Sequence, residues 1–271
     1  MTAISIITVC YNAEGTIRQT IESVLNQSHI EHEYLIVDGM SSDCTIHIAE
    51  EYIKAFEIKG IPYRIVSEKD NGIYNAMNKG TKLSSGEWLL FLNAGDELYS
   101  QNTLDKLYNS IDESADVIYG KVICRNYNLV KLIENRKLSD IRTGMVFCHQ
   151  STIIRHEVMK MYGYDERYRI SADYNFFIQC YLNNHTFKEL DFPVSIFELG
   201  GESSNAIVHL RERYLVQYNN GFLDKSEYRH VMNKMLVSTF LYTIRNGVMN
   251  LIPNSILTKL KVRKYMRSGY K

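Results

Sequence analysis

The chain has 271 residues, of which 31 are Lys or Arg and 31 are Asp or Glu, so its formal net charge is zero. A balanced charge argues against bulk nucleic-acid binding, which needs a basic surface. Apolar residues make up 45% and charged residues 23% of the chain, which is typical of a globular protein and excludes a disordered one.

Apolar patterning and one capping signal indicate four short strands and two helices in the first hundred residues. Apolar runs rich in β-branched and aromatic residues predict the strands at Ile4–Val9, Tyr34–Val37, Tyr63–Val66 and Trp88–Leu92.

 Apolar residues at helical spacing predict a helix within Glu14–Gln27, and a Ser-Ser-Asp capping signal at 41–43 predicts a second helix that runs to about Glu57. Strands that alternate with helices predict an α/β fold with a parallel sheet.

From about Asp116 the pattern changes to closely spaced strands, which predicts that the sheet becomes mixed within the same domain. The predicted elements here are strands at Val117–Cys124 and Leu129–Ile133, a helix at about Ala172–Asn183 and a strand near Phe192–Phe197.

The cysteine spacing and the N-terminal sequence indicate the cellular compartment of the protein. The five cysteines are far apart and form neither a C-x-x-C pair nor a zinc-type spacing, which indicates free thiols in a reducing environment. No basic segment typical of a signal peptide is present, and no apolar stretch reaches 18 residues. We therefore expect a cytoplasmic protein without a membrane-spanning helix.

Polar or acidic residues follow each of the first four strands. They are Tyr11 with Asn12, then Asp38, Asp70 and Asp96. Because ligands of open α/β sheets bind outside the carboxyl ends of the strands, these residues are expected to converge on one acidic crevice.

The crevice lacks the common nucleotide-binding loops. The turn after the first strand, residues 10–15, has no G-x-G-x-x-G pattern, and no P-loop sequence occurs in the chain. Carboxylates repel a bare diphosphate, so a nucleotide ligand would need Mg²⁺ or Mn²⁺ between Asp96 and its phosphates. Such an ion would also stabilise a departing nucleoside diphosphate.

Several motifs, taken in order, carry a family resemblance over about 200 residues. They are Ser5–Asn12, Ile21–Gln27, Ile36–Thr45, Glu68–Gly80, Phe91–Asp96, His149–Gln150, Ser171–Tyr174 and Gly200–Ser203. This ordered set resembles family 2 glycosyltransferases, and looks most like the members that assemble bacterial exopolysaccharide and O-antigen repeat units, of colanic-acid type.

The resemblance implies a GT-A fold, with a mostly parallel central sheet flanked by helices and a C-terminal helical extension. It implies transfer of a sugar, with inversion, from a nucleotide-diphosphate sugar, typically a UDP-sugar. We expect a catalytic domain at 1–227, with a nucleotide-sugar half at 1–115 and an acceptor half at 116–227, followed by an extension at 228–271.

The resemblance also implies roles for individual residues. The metal ligand would be Asp96, and the general base that activates the acceptor hydroxyl would be Asp173. The donor-binding residues would be Thr8, Tyr11, Asn12, Asp38, Asp70, Asn78, Lys79, Asn93, Ala94 and Gly95. Among them, Asp38 would accept a hydrogen bond from the base. Acceptor-side residues would be His149, Gln150 and Gly201.

Three positions depart from the family pattern. Gly95 stands where many members carry a second acid, which leaves the metal to Asp96 with the Asn93 carbonyl as a further ligand. Asn75 replaces an Asp that is common in this subfamily. Met77 stands where other branches carry Arg, so Lys79 is the nearest candidate cation.

Each candidate also has a purely structural interpretation. The Asp residues at 38, 70, 96 and 173 are all placed where a turn or helix cap would use a carboxylate. His149 lies beside an apolar run, where a lone histidine is commonly a hydrogen-bonded core residue.

The C-terminal segment differs in charge from the rest. Residues 228–271 hold nine basic and no acidic residues, so the remaining 227 residues carry 22 basic and 31 acidic ones, a balance of −9. The basic residues alternate with apolar ones in a pattern typical of amphipathic helices. Such a segment would dock on an anionic membrane surface at the inner face of the cytoplasmic membrane, or pack on the catalytic domain or on a second copy of the chain.

The sequence thus favours an inverting, metal-dependent glycosyltransferase that acts on a saccharide or lipid-linked saccharide. A non-catalytic nucleotide-sugar binding or scaffold protein in a polysaccharide assembly complex is the alternative. A nucleotidyltransferase is disfavoured, because no basic, glycine-rich triphosphate loop is visible.

Overall fold

A mixed β-sheet forms the centre of the protein in the computed structural model, which describes residues 4–29, 31–126, 129–198 and 206–237. Nine strands occur in these ranges. They are β1 (Ile4–Cys10), β2 (His32–Asp38), β3 (Tyr63–Ser67), β4 (Trp88–Phe91), β5 (Glu97–Leu98), β6 (Val117–Asn126), β7 (Leu129–Ile133), β8 (Thr152–Arg155) and β9 (Phe187–Glu198).

Helices connect the strands and cover the sheet. They are α1 (Ile17–Leu25), α2 (Thr45–Glu50), α3 (Ile53–Lys59), α4 (Ile73–Leu83), α5 (Thr103–Ser110), α6 (His156–Tyr162), α7 (Ala172–Leu182) and α8 (Ala206–Asn219). Two short 3₁₀ helices, Leu138–Thr143 and His149–Ser151, precede β8. Residues 225–237 are also helical.

The strand order is β3-β2-β1-β4-β8-β6-β9-β5, and β7 pairs with β6. The first four strands in this order are parallel, and Cys10 at the end of β1 is in register with Asp38 at the end of β2. The antiparallel strand β8 then begins the mixed half. The predicted change to a mixed sheet is confirmed, and the carboxyl ends of β1, β2 and β3 meet at one edge.

The core lies between the sheet and its helices. Every residue of β1 and β2 is buried, and Ile17, Ile21 and Val24 present the inner face of α1 with no exposed surface. Full burial of one such side chain is worth about 1.5–3 kcal/mol. Burial therefore stabilises β1 and β2, two of the strands that end at the predicted crevice.

Two of the predicted helices differ from the observed ones. The helix predicted to run from the 41–43 cap to about Glu57 is two helices, α2 and α3. The first helix begins at Ile17 rather than near Glu14, because the backbone N–H of Glu14 donates to Asp43 Oδ2 at 3.1 Å and is thereby used in a contact between loops.

The chain forms two compact units, residues 1–220 and 221–271. The domain boundary predicted after residue 227 stays a prediction. Within the described ranges, no helix combines the length and apolarity that crossing a membrane requires. Residues 238–271, which hold most of the predicted basic extension, lie outside the described residues.

Candidate active site

The loop after β1 is joined to the loop after β2 through Asn12. Its backbone N–H donates to Ser41 Oγ at 2.8 Å, and its Oδ1 accepts the Ser42 N–H at 2.9 Å. Asn12 adopts a positive φ of 49°, which asparagine tolerates better than most residues. Asn12 was predicted to bind the nucleotide-sugar donor, but its side-chain oxygen already accepts a hydrogen bond that joins the two loops.

Asp38, the last residue of β2, has no exposed surface. Its Oδ2 accepts the Ser41 N–H at 2.9 Å and the Ser67 hydroxyl at 2.7 Å, and its Oδ1 accepts the Ser41 hydroxyl. These bonds satisfy a buried carboxylate and join the ends of β2 and β3. A base could reach Asp38 only if they rearranged, so the base contact stays a prediction.

Tyr11 and Asp70 meet at Gly39, directly after β2. A Cβ atom at Gly39 would lie 2.6 Å from Asp70 Oδ2 and 3.4 Å from Tyr11 Cδ2, so glycine admits this close approach without displacing the Asp70 carboxylate. Asp70 Oδ1 accepts the Gly72 N–H at 2.9 Å, which orients the carboxylate. The Tyr11 side chain is 65% exposed and offers an aromatic face beside an acid. Two residues predicted from distant motifs thus come together.

Thr8 lies inside the sheet rather than on its edge. It has no exposed surface, and its hydroxyl donates to the Leu92 carbonyl at 2.7 Å and lies 3.0 Å from the Tyr34 hydroxyl. Thr8 therefore joins β1 to the residue after β4. Its role in lining the nucleoside pocket stays a prediction.

Asn78 and Lys79, on α4, hold two loops. Asn78 Oδ1 accepts the Tyr164 N–H at 2.8 Å, and Asn78 Nδ2 donates to the Tyr164 carbonyl at 2.9 Å and to Glu166 Oε1 at 3.0 Å. Lys79 Nζ donates to the Lys69 carbonyl at 2.7 Å and pairs with Glu68 at 2.9 Å. Both side chains were predicted to bind the donor, and both already form bonds to other residues of the chain.

The turn after β4 contains Asn93, Ala94, Gly95 and Asp96. Gly95 has a φ of +105°, its N–H donates to Thr20 Oγ1 at 2.9 Å, and its carbonyl accepts the Gln19 amide at 2.7 Å. A residue with a side chain would be strained here by about 1–3 kcal/mol. Glycine at this position avoids that strain.

Asp96 is a buried carboxylate beside other charges. Burial raises its pKa to about 8; the N–H of Glu198, which Asp96 Oδ1 accepts at 3.1 Å, acts in the opposite direction. The Glu198 carboxylate raises the pKa further, whereas Arg125 lowers it. Arg125 in turn pairs with Glu97 and Glu198. Glu198 and Arg125 were not among the predicted site residues.

The turn after β4 carries side-chain oxygen atoms of the kind that a divalent metal ion binds. Asn93 Oδ1 is buried and accepts no hydrogen bond from the described residues. A carbonyl oxygen without a donor, close in sequence to the Asp96 carboxylate, is the kind of ligand that Mg²⁺ and Mn²⁺ prefer, and Mg²⁺ commonly takes its remaining ligands from water and substrate phosphates. The described residues contain no group of three or more acidic, His or Cys side chains able to hold a metal by themselves.

Asp173 lies in the first turn of α7 and is half-buried. Its Oδ1 accepts the Tyr74 hydroxyl at 2.9 Å and the Tyr174 N–H at 2.8 Å. The Tyr74 hydroxyl also lies 2.6 Å from the Ile170 carbonyl, so its single proton is shared between that carbonyl and Asp173. Burial, and then the charge of Asp173, raise the pKa of Tyr74 well above its usual value, so Tyr74 is a neutral donor. Tyr74 was not among the predicted site residues, although it lies within the Glu68–Gly80 motif.

Asp96 and Asp173 both lie near enough to Cys148 for their charges to act on its thiol. Burial raises the pKa of the Cys148 thiol, and the negative charges of both aspartates raise it further. Cys148 Sγ donates to Gln150 Oε1 at 3.2 Å, which places Gln150 at the same location. Candidate metal ligand, candidate base and one acceptor-side residue are therefore close to each other.

His149 is a core residue. It is 5% exposed, its Nε2 lies 2.6 Å from the Tyr164 hydroxyl, and its ring packs on Phe91 with centroids 5.4 Å apart. Burial lowers its pKa. These contacts match the interpretation of His149 as a hydrogen-bonded core residue. Its contact with the acceptor stays a prediction. Gly201 lies outside the described residues.

The family follows from a comparison with known proteins. The sequence model of glycosyl transferase family 2 matches residues 5–172, which is more than half of the chain. The chain belongs to glycosyl transferase family 2. This family member is therefore a nucleotide-sugar-dependent glycosyltransferase, as the ordered motifs predicted. The match ends just before Asp173.

Similar proteins agree with this assignment. A PGL/p-HBAD biosynthesis glycosyltransferase of Mycobacterium bovis is 34% identical over 190 residues, 66% of this chain and 70% of that protein. The crystal structure of S. aureus TarS 1–349 in complex with UDP-GlcNAc has a TM-score of 0.66 at 21% identity and covers 86% of this chain and 71% of that one.

A second solved structure has the same fold. The mannosyltransferase PcManGT from Pyrobaculum calidifontis, in complex with GDP-Man and Mn²⁺, has a TM-score of 0.62 at 15% identity and covers 78% of this chain and 63% of that one. These likenesses confirm the predicted GT-A-like α/β fold of the family 2 chain.

Proposed function

We propose that this family 2 glycosyltransferase transfers a sugar, with inversion, from a nucleoside-diphosphate sugar to a hydroxyl group of a saccharide acceptor. The expected donor is a UDP-sugar, and the expected context is the synthesis of a surface polysaccharide or glycoconjugate. The UDP-GlcNAc bound by TarS and the biosynthetic name of the mycobacterial relative support this proposal.

The donor half of the site is the edge where β1, β2 and β3 end. The exposed ring of Tyr11 offers a stacking surface for a base, and Asp70 Oδ2 lies beside it at Gly39. A carboxylate in this position would accept hydrogen bonds from a base or a ribose hydroxyl. The bonds around Asp38 keep this edge in shape before the donor binds.

The Asp173 carboxylate is the observation that carries the proposal. The hydrogen bonds it accepts from Tyr74 and from the Tyr174 N–H are both at Oδ1, so among the described residues Oδ2 is left for an acceptor hydroxyl. A carboxylate held in one orientation can take the hydroxyl proton as the oxygen attacks the anomeric carbon. A single displacement of this kind inverts the anomeric centre and needs no protein nucleophile.

Asp96 and the Asn93 carbonyl would hold Mg²⁺ or Mn²⁺ together with the donor diphosphate. When bound, the ion supplies positive charge that stabilises the leaving nucleoside diphosphate. The Mn²⁺ in the PcManGT complex supports this choice of cofactor. Glu198 donates its backbone N–H to Asp96, which keeps one carboxylate oxygen in place.

Two substitutions test the proposal. Asp96→Ala is expected to abolish transfer and the metal-dependent part of donor binding. Asp173→Asn is expected to lower transfer at least about 100-fold, the usual contribution of a general base, with donor affinity within twofold of wild type. The matched control, Asp191→Asn, changes an exposed carboxylate on β9 and should leave both quantities unchanged.

Donor binding is measured by thermal shift with a panel of UDP- and GDP-sugars, with and without Mn²⁺. Transfer is measured as release of the nucleoside diphosphate. Normal turnover in Asp173→Asn would reject the assignment of the base. Donor binding by the wild-type protein without transfer or donor hydrolysis would instead support a non-catalytic binding or scaffold protein.

A further inference from the structure

Glu212, on α8, binds the turn that leads into α7. Its Oε1 accepts the Arg169 N–H at 2.8 Å, and its Oε2 accepts the N–H groups of Ile170 and Ser171 at 2.7 and 2.9 Å. One carboxylate thus binds three consecutive backbone donors. Hydrogen bonds to a charged acceptor are about twice as strong as neutral ones, so this contact holds the turn firmly.

The N-cap residue of α7, Ser171, makes no side-chain capping bond. Its Oγ is buried without a partner among the described residues. The first N–H groups of a helix need acceptors, and the positive end of the helix dipole favours a carboxylate there. Glu212, on another helix and 41 positions away in the chain, accepts the N–H of the N-cap residue Ser171, which lies at this positive end.

The same turn is held from its other side by Tyr74. The Tyr74 hydroxyl lies 2.6 Å from the Ile170 carbonyl and 2.9 Å from Asp173 Oδ1. Residue 170 is therefore bound through its N–H by Glu212 and through its carbonyl by Tyr74. Asp173 follows three residues later, so the backbone that carries its carboxylate cannot shift unless one of these contacts breaks.

We propose that Glu212 is a positioning residue for sugar transfer, which acts by fixing the turn that carries the Asp173 carboxylate. This inference rests on the proposed role of Asp173 as the general base. Glu212 lies outside the residues that the family model matches, 5–172, and its carboxylate binds the backbone of 169–171, not the Asp173 side chain. Its effect is therefore expected on turnover and not on donor binding.

Glu212→Gln tests this inference in the full-length protein. The amide keeps the size of the side chain but removes its charge and one of the two acceptor oxygens. A misplaced catalytic group commonly costs on the order of 10- to 100-fold in rate, so kcat should fall by about that factor. The KM for the donor should stay within twofold, and calorimetric titration with the donor should still give one site per chain, which excludes loss of folded protein as the cause.

The matched control is Glu157→Gln, which changes an exposed glutamate on α6 and should leave kcat unchanged. If Glu212→Gln does not fold, the same assays are made with Glu212→Asp. This variant keeps the charge but has a side chain that is shorter by one methylene group. A wild-type kcat in the variant that folds overturns the inference, and so does a KM that changes as much as kcat.

A double variant separates this inference from the proposed function. Because Glu212 acts through Asp173, Glu212→Gln should cause no further loss when Asp173 is already Asn. An additional loss of the same factor would show that Glu212 acts independently and would overturn the inference. Normal transfer in Asp173→Asn alone would instead reject the base assignment, whatever the Glu212 result.

Discussion

Two glycines shape the donor edge of the site. At Gly39 the absence of a side chain lets Asp70 and Tyr11 approach the end of β2, and at Gly95 a positive φ turns the chain towards Asp96. Both positions depend on geometry that a Cβ atom would disturb. The site therefore depends on small residues as much as on the acids beside them.

Gly39→Ala is expected to weaken donor binding. The new Cβ would lie 2.6 Å from Asp70 Oδ2, so the carboxylate must move away. The loss of one charge-assisted hydrogen bond would raise the donor Kd about tenfold or more, as measured by calorimetry. Gly15→Ala is the control, because nothing lies within 4 Å of its Cβ position. An unchanged Kd in Gly39→Ala would show that Asp70 does not contact the donor.

At the level of elements, α4 connects the two halves of the site. Tyr74 on this helix binds Asp173, and Asn78 one turn later binds the backbone of Tyr164 and the carboxylate of Glu166. The helix packs on β1 and β2, whose ends form the donor edge. It therefore holds the loop before α7 at a set distance from the donor side.

Asn78→Ala is expected to destabilise the protein without weakening donor binding. The substitution removes both hydrogen bonds to the Tyr164 backbone and leaves half-buried polar groups unpaired, which costs about 1–3 kcal/mol. Urea denaturation measures the free energy of unfolding, and Asn109→Ala, at an exposed position on α5, is the control. A donor Kd that rises tenfold with unchanged stability would instead support the predicted direct contact between Asn78 and the donor.

On the scale of the whole molecule, the zero net charge is the sum of two opposite contributions. Residues 1–227 carry −9 and residues 228–271 carry +9. We propose that the basic segment docks the enzyme on an anionic membrane, which would bring it to a lipid-linked acceptor. Each basic group near such a surface is worth roughly 1 kcal/mol.

Deletion of residues 229–271 tests the docking proposal. The full chain should sediment with vesicles that contain phosphatidylserine and remain in solution with phosphatidylcholine vesicles, because the attraction is electrostatic. The truncated chain should stay in solution with both. Equal sedimentation of the two chains would reject membrane docking, and a change from dimer to monomer on truncation would point to packing against a second copy.

Acid is expected to destabilise the protein through His32. Burial lowers the pKa of His32 to about 4, and neither ring nitrogen has a partner among the described residues. The unfolded chain takes up this proton below about pH 6.5, whereas the folded chain does so only near 4. Between these values the unfolded state binds more protons, so stability falls as the pH falls, with a slope of up to about 1.4 kcal/mol per pH unit.

His32→Leu should remove this contribution. Urea denaturation of wild type and variant from pH 7.5 to 4.5 would measure it, and the difference in unfolding free energy between them should grow as the pH drops. The control is His47→Leu, at an exposed position on α2, which should retain the wild-type slope. Parallel curves for wild type and His32→Leu would contradict the prediction.

The first four strands and the residues that follow them could be predicted because their information is local. An apolar run marks a buried strand, and a polar residue after it marks a ligand edge. The strand β8 and helix α8 were not predicted. The four residues of β8 make too short a run, and the polar and apolar residues of α8 do not separate into two clear faces.

The sequence by itself determined the family, the fold class and the acids at the strand ends, because ordered motifs and apolar periodicity are properties of neighbouring residues. Only the tertiary structure decided what those residues touch. It joins Asp38 to Ser67 across 29 positions, Asp173 to Tyr74 across 99, and the start of α7 to Glu212 across 41. Contacts over such separations depend on how the sheet and helices pack, which a linear pattern does not record.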